Sequence, residues 1–272
     1  MTDVAAVSRQ ERADDRRATA RTGVQRLAMA LFGWLVFLGI WTWGSSQFSG
    51  TVLPTPKTVA LEMWSIVASG RFFSNFGWSL LKTVLGFVVA VLFGAPIGYL
   101  MGRSRYWRAF FHDGVTVSGT IPGLTYAVMA LIIFGISMEG PVLAVALVSM
   151  PYIAINVAEG IRGVDQDLIK MSHAFGRSPR QIRRDVLVPS IVPFVFAGVR
   201  LAFAIAWKVE ALTEVFGGRN GVGFEIRRSY QLFSIPGVLA WMFLFIAFML
   251  LVERLLLLRL ENRVLGWRPT ER

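Results

Sequence analysis

The sequence predicts an all-α protein, a polytopic membrane helical bundle of about six transmembrane helices. Three observations predict it. Hydrophobic residues fill 54% of the 272 positions and charged residues only 17%, whereas soluble domains average about 45–50% apolar with glycine counted and about 25% charged. The 26 glycines lie outside that hydrophobic figure, so the apolar excess is too large for one soluble core. Windows approaching or reaching the roughly 20 apolar residues that a bilayer core demands recur along the chain. The net charge of +11 collects in alternate loops, which is how a membrane protein distributes arginine; it does not point to nucleic acid.

Six windows define the spans: Leu27–Trp43, Thr83–Met101, Gly114–Met138, Gly140–Ala158, Ser190–Val209 and Ser229–Val252. The first has the length of a signal peptide, but bulky Trp41, Trp43 and Phe48 follow where a cleavage site needs small residues. It is read as a retained helix with tryptophans at the interface. Arginine and lysine set the orientation. They are dense in the N-terminal arm, in the loops after spans two and four, and in the C-terminal tail, and sparse after spans one and three. Both termini are therefore expected in the cytoplasm. The loop after span five, with Arg219, Arg227 and Arg228, runs against this pattern. The expected organisation is a cytoplasmic arm over 1–26, one transmembrane domain over 27–258 and a cytoplasmic tail over 259–272.

Span two carries Gly86, Ala90, Gly94, Gly98 and Gly102, each four apart and hence on one helix face. Such a stripe lets another helix approach closely, and packing within the chain is the reading preferred over a subunit interface. Pro96 is expected to kink this helix. Thr120-Ile121-Pro122-Gly123 marks a bend near the start of span three. Span five holds Arg200, Lys208, Glu210 and Glu214, and ionisable groups in membranes are costly and often functional. Glu210 and Glu214 share a face, whereas Lys208 lies about 200° around the helix from Glu210. These four are the candidates for a translocation path or gate. Lys208 is expected to face the path, with the glutamates paired to Arg219, Arg227 or Arg228.

The absence of cysteine excludes disulfides and thiolate chemistry. Two histidines, His112 and His173, are too few for a zinc site or a triad, so neither catalytic residues nor a metal site is expected.

The most informative stretch is the 31-residue loop 159–189, too long to be a bare connection. Asp165 or Asp167 can cap a short helix through Leu168, Met171 and Phe175, which Gly176 ends. Ser178 caps a second, with Pro179 in its first turn. A helix–Gly–helix element with basic surroundings suits docking into a partner's groove.

This stretch resembles the cytoplasmic motif of ATP-binding-cassette importer permeases, in which a Glu-Ala-Ala triplet precedes a Gly by three residues and an Ile-x-Leu-Pro follows after nine. Here Gly176 is followed at that spacing by Val186-Leu187-Val188-Pro189, with valine for Ile and Leu. The triplet falls on Lys170-Met171-Ser172, so the start of the motif departs from the pattern. The surroundings resemble the type I, sulfonate, taurine and nitrate branch: Leu53-Pro54-Thr55-Pro56 after span one, Phe194 to Leu201 after the motif, then Ala206-Trp207, Glu214 and Asn220-Gly221-Val222-Gly223-Phe224. The resemblance covers about residues 27–268.

The resemblance implies a type I importer permease fold in a bacterial plasma (inner) membrane. It implies a second permease subunit as a homodimer partner, two ATPase subunits, and a periplasmic or lipid-anchored substrate-binding protein. Lys170, Met171, Ser172, His173, Ala174, Phe175, Gly176, Arg177, Ser178 and Pro189 then form the loop that docks on the ATPase. The chain lacks a phosphate-binding Gly-rich loop, so ATP and Mg are expected on the partner and no cofactor here. The implied solute is a small anion such as a sulfonate, taurine, nitrate or an aromatic carboxylate. An ion-gradient-driven secondary transporter or channel, with Glu210 and Glu214 as a proton or cation site, stays open at this point. It lacks support from pseudo-symmetric halves and leaves the long loop without a role.

Overall fold

The computed structural model describes residues 28–48 and 52–257, with the single positions 25, 259 and 263. The expected arm over 1–26 and tail over 259–272 otherwise lie outside the described residues. No strand occurs among the described residues. The chain divides into two compact units, up to Leu61 and from Glu62 onward. The first holds α1 (Ala28–Gln47), an apolar helix of 20 residues, and the turn after it, where Trp41 Nε1 donates to the Pro54 carbonyl at 3.0 Å. α2 (Pro56–Ala68) crosses the division.

The second unit contains α3 (Arg71–Arg103), α4 (Arg105–Thr120), α5 (Gly123–Phe134), α6 (Glu139–Arg162), α7 (Gln166–Ala174), α8 (Pro179–Ile182), α9 (Val188–Gly217), α10 (Val222–Gln231) and α11 (Ile235–Val252). Its centre is α6, the most enclosed of the long apolar helices. The small-residue stripe of α3 lies on α6. A Cβ on Gly86 would meet the Val142 carbonyl and Val145 within 2.8 Å, one on Gly94 the Met150 carbonyl at 2.8 Å, and one on Gly98 the Ala154 carbonyl. At Gly102 it would meet Ile161 Cβ at 2.7 Å. The stripe is thus an intrachain packing face, and α3 runs on as one helix through Pro96.

The register of these contacts fixes direction. As the α3 number rises from 86 to 102, its α6 neighbour rises from 142 to 161, so the two helices are parallel. The chain must therefore return from the end of α3 to the start of α6, and α4 and α5 make that return. They are bent by 94° at the break between them. The window Gly114–Met138 is consequently not one straight helix. Proline disfavours helical backbone at the residue before it, and Ile121 (φ −65°, ψ 127°) and Pro122 (φ −57°, ψ 137°) are both extended. The bend falls inside the expected span, not at its start.

α9 runs antiparallel to α6: Gly198 sits against Asn156, and Gly160 against Phe194. Ala90, Ile153, Val157 and Ala202 join α3, α6 and α9 in one core. A second core, built on Phe203 and Trp207, reaches Phe245, Phe248 and Val252 of α11. The sixth expected span is shorter than predicted. Ser229 belongs to α10, which ends at Gln231, and the apolar helix starts at Ile235.

Candidate functional site

Two arrangements concentrate the polar chemistry, at opposite ends of α9. The first is the loop preceding it. Asp165 caps α7 by accepting from Asp167 N at 2.8 Å, and no residue of α7 is buried. The helix closes in a Schellman motif: Gly176 N donates to the His173 carbonyl at 2.9 Å and Arg177 N to the Ser172 carbonyl at 3.0 Å. Gly176 has φ +73°, the left-handed conformation that glycine tolerates at least cost. Ser178 and Gln181 form a capping box, with Pro179 in the first turn.

The second short helix is not separate, however. It continues through a π turn, Arg183–Leu187, into α9. Pro189 lacks a backbone donor and its ring clashes with the carbonyl four residues earlier, and a π turn is a common way to absorb such a mismatch inside a helix. Since 159–162 also end α6, the irregular backbone of the expected loop shrinks to the short turns flanking α7. Met171, Ser172, Phe175, Arg177, Gln181, Ile182, Asp185 and Val186 line a groove between α7 and α8. Leu168, Met171 and Phe175 are 43%, 53% and 78% exposed. Lys170 pairs with Asp167 at 2.8 Å, and Arg177 with Asp185 at 3.6 Å. His173, Ala174 and Ser178 are exposed around the turn, while Pro189 belongs to α9.

The second arrangement is a buried charge cluster near the other end of α9. Glu214 is fully buried and pairs with Lys82 of α3 at 2.6 Å. Ser79 Oγ donates to both its oxygens, at 3.1 and 2.9 Å, and Gly223 N donates to Oε2 at 2.9 Å. Lys82 also donates to the Asn220 carbonyl at 2.8 Å. Val222 N reaches Ser79 Oγ at 2.9 Å, and Gly221 N reaches Asn75 Oδ1 at 3.0 Å. The loop from Asn220 to Gly223 thus lies directly on the Glu214 carboxylate. Gly221 has φ +108°, and a Cβ there would collide with that carboxylate.

This arrangement corrects the expected pairing. None of Arg219, Arg227 and Arg228 partners Glu214. Arg227 donates to the carbonyls of Gly218 at 2.6 Å and Val215 at 3.4 Å and lies over the Phe224 ring. Arg228 pairs with buried Glu225 at 3.4 Å. At least two of the three arginines opposing the charge pattern are therefore engaged locally, near their own loop. Glu210 is also fully buried, and neither oxygen has a hydrogen-bond donor among the described residues. Lys208 is exposed on the opposite side of α9, as the 200° offset requires. Arg200 pairs with Glu253 at 3.0 Å, both about half exposed. It borders a cavity of about 330 Å³ between α9 and α11 that is otherwise largely apolar.

Sequence reasoning missed Lys82, which stands one residue before the expected span Thr83–Met101. The available signal was its isolation as the lone cation between Arg71 and Arg103.

Comparison with known proteins adds family and fold. The family described as binding-protein-dependent transport system inner membrane component matches residues 90–264. A putative aliphatic sulfonates transport permease protein of Bacillus subtilis is 29% identical over 87% of this chain and 89% of its own length. The taurine transport system permease protein of Escherichia coli is 27% identical over 94% and 96%. The nitrate import permease protein of Synechococcus elongatus is 26% identical over 72% and 74%. Among solved structures, an amino acid ABC transporter chain aligns with a TM-score of 0.61 at 20% identity, covering 73% of this chain and 96% of that one. A chain of the MetNI methionine ABC transporter in an inward-facing conformation aligns with a TM-score of 0.58 at 20% identity, over 69% and 93%.

Proposed function

The chain belongs to the family of binding-protein-dependent transport system inner membrane components, and from that premise we propose that it is the permease subunit of an ATP-driven importer for a small anion. Two copies form the path, two ATPase subunits bind ATP and Mg, and an external binding protein delivers the solute. Both termini face the cytoplasm in this arrangement, as does the loop around Gly176. Relatives named for aliphatic sulfonates, taurine and nitrate support an anionic solute.

The observation that carries the reading is the exposed apolar surface on the Asp165–Ile182 element. Leu168, Met171 and Phe175 are held out of the core by well-capped turns, at the arginine-rich end of the bundle. Rigid apolar groups displayed in that way fit a partner's groove, and a groove that closes on ATP binding can pull α9 through the continuous helix that α8 begins. Any solute or nucleotide shifts the two access states only through different affinity for each. Lys208 is the exposed cation proposed for an anion's path, since Lys82 is taken up by Glu214 and Arg200 pairs with Glu253. The Lys82–Glu214 pair speaks against an ion-gradient reading in which Glu214 is a cation site.

Copurification of the tagged chain with an ATPase, followed by ATP-dependent uptake in proteoliposomes containing the binding protein, tests the assignment. Uptake driven by an ion gradient in the absence of ATP overturns it.

A further inference from the structure

Glu210 is the one buried acid of α9 that the fold leaves unexplained. It is 0% exposed, and both carboxyl oxygens lack any hydrogen-bond donor among the described residues. Trp207 Nε1, three residues earlier on the same helix, is likewise without an acceptor, so those two groups do not pair. The ionisable groups facing Glu210 are Glu214, one turn further along α9 and within hydrogen-bonding reach of its carboxyl, and Lys82 of α3. A carboxylate sealed from water with no donor, beside a second carboxylate, costs far more than its neutral acid.

Glu214 shows where the acid's hydrogen can go. An ionised carboxylate has about four acceptor positions. Lys82, Gly223 N and the single hydroxyl hydrogen of Ser79, shared between the two oxygens, supply three donors, which leaves about one position open. Lys82 is 2% exposed and committed to Glu214 and the Asn220 carbonyl, so it is not available as a salt-bridge partner for Glu210.

We infer that Glu210 sits in the fold as a neutral carboxylic acid whose hydrogen is donated to Glu214, so that Glu210, Glu214 and Lys82 form one electrically neutral unit. Glu210 is then a positioning residue. It fills the last acceptor position of the carboxylate that holds the Asn220–Gly223 loop against α3, without adding a charge to the buried cluster. The inference stands independently of which solute is carried.

Infrared spectroscopy on the full-length permease in lipid bilayers, with ¹³C-labelled glutamate, tests it. At neutral pH the parent shows an isotope-shifted C=O band of a protonated acid, resolved from the carboxylate bands. Glu210→Gln removes that band, and Glu225→Gln, which alters the other buried glutamate pair, leaves it. Absence of the band in the parent overturns the inference even if no variant folds, as does its persistence in Glu210→Gln or its loss in Glu225→Gln. Glu210→Gln keeps a neutral donor and preserves the yield of folded permease, whereas Glu210→Leu, of similar size but without a donor, lowers it by about tenfold, the scale of one hydrogen bond. Equal losses in both variants overturn the donor role.

Discussion

At Glu214 the carboxylate answers to Lys82, Ser79 and a backbone N–H at once, and each of these is buried. Glu214→Gln removes the counter-charge and strands an ammonium that is 2% exposed. Breaking one partner of a buried pair costs about 3–5 kcal/mol, so the purified variant is expected to lose thermal stability or fail to assemble. Removing both charges together, as Lys82→Met with Glu214→Leu, strands no ion and is expected to recover much of the loss. A double variant no better than Glu214→Gln alone contradicts the pairing. Lys208 is the opposite case. It is exposed and touches none of this network, so Lys208→Met is expected to change stability by less than about 0.5 kcal/mol while lowering anion uptake. Uptake at the parental rate removes the lysine from the path. The opposed faces of Lys208 and Glu210 were legible from helical geometry alone. The identity of the cation was not, because Lys82 and Glu214 lie 132 positions apart and nothing local to either marks the other.

At the scale of the helix, two glycines separate docking from packing. Nothing lies within 4 Å of a Cβ built on Gly176, so substitution there meets no clash inside the chain. Gly176→Ala carries only the left-handed backbone penalty, about 1 kcal/mol, and is expected to retain coupling. Gly176→Glu adds a bulky charge to the exposed face proposed to dock on the ATPase and is expected to abolish solute-stimulated ATP hydrolysis while the permease still inserts. Normal transport by that variant sinks the docking assignment. Gly98 is the converse, because a side chain there runs into the Ala154 carbonyl and Val157 of α6. Gly98→Leu is expected to destabilise by about 1–3 kcal/mol through overpacking, and Gly114→Ala, with open space around its Cβ, to be nearly silent in the same melting assay. The caps at Asp165, Gly176 and Ser178 and the stripe on α3 were readable because each is a local pattern with one physical solution. The helix joining Ser178 to Gly217 was not, since Pro189 reads as a stop and only the π turn before it lets the helix pass. The bend at Ile121-Pro122 was visible as chemistry, but its 94° angle depends on α5 being seated between α6 and α9, to which Gly123 contributes by lying against Val209.

Over the whole molecule, the number of crossings decides the topology, and the bent pair is the term in question. If α4 and α5 entered and left by the same face, the chain would cross five times and its ends would lie on opposite sides. The parallel register of α3 and α6 argues otherwise, because two parallel neighbours must be joined by a segment that traverses the membrane once. α4 and α5 together are therefore expected to make one crossing, which with the five long apolar helices among the described residues gives an expected count of six. The same register gathers Arg103, Arg108 and Arg162 at one end of the bundle, where Arg108 and Arg162 both reach Glu159 at 3.8 and 3.6 Å. The antiparallel course of α9 adds Arg177, Arg180, Arg183 and Arg184 to that end, and the return along α11 adds Arg254. Lys82 stands 21 residues before Arg103 along α3, about 30 Å at the helical rise, so the buried charge cluster belongs near the opposite face. Arginine retention on the cytoplasmic side makes the arginine-rich end the expected inner face. Tags at either terminus are expected to resist protease in intact spheroplasts, and a tag inserted beside Phe233, 90% exposed in the turn between α10 and α11, to be cleaved. Cleavage of a C-terminal tag from outside, with the inserted tag protected, would reverse the orientation. Cleavage at one terminus only would return the count to five and make α4 and α5 a re-entrant pair.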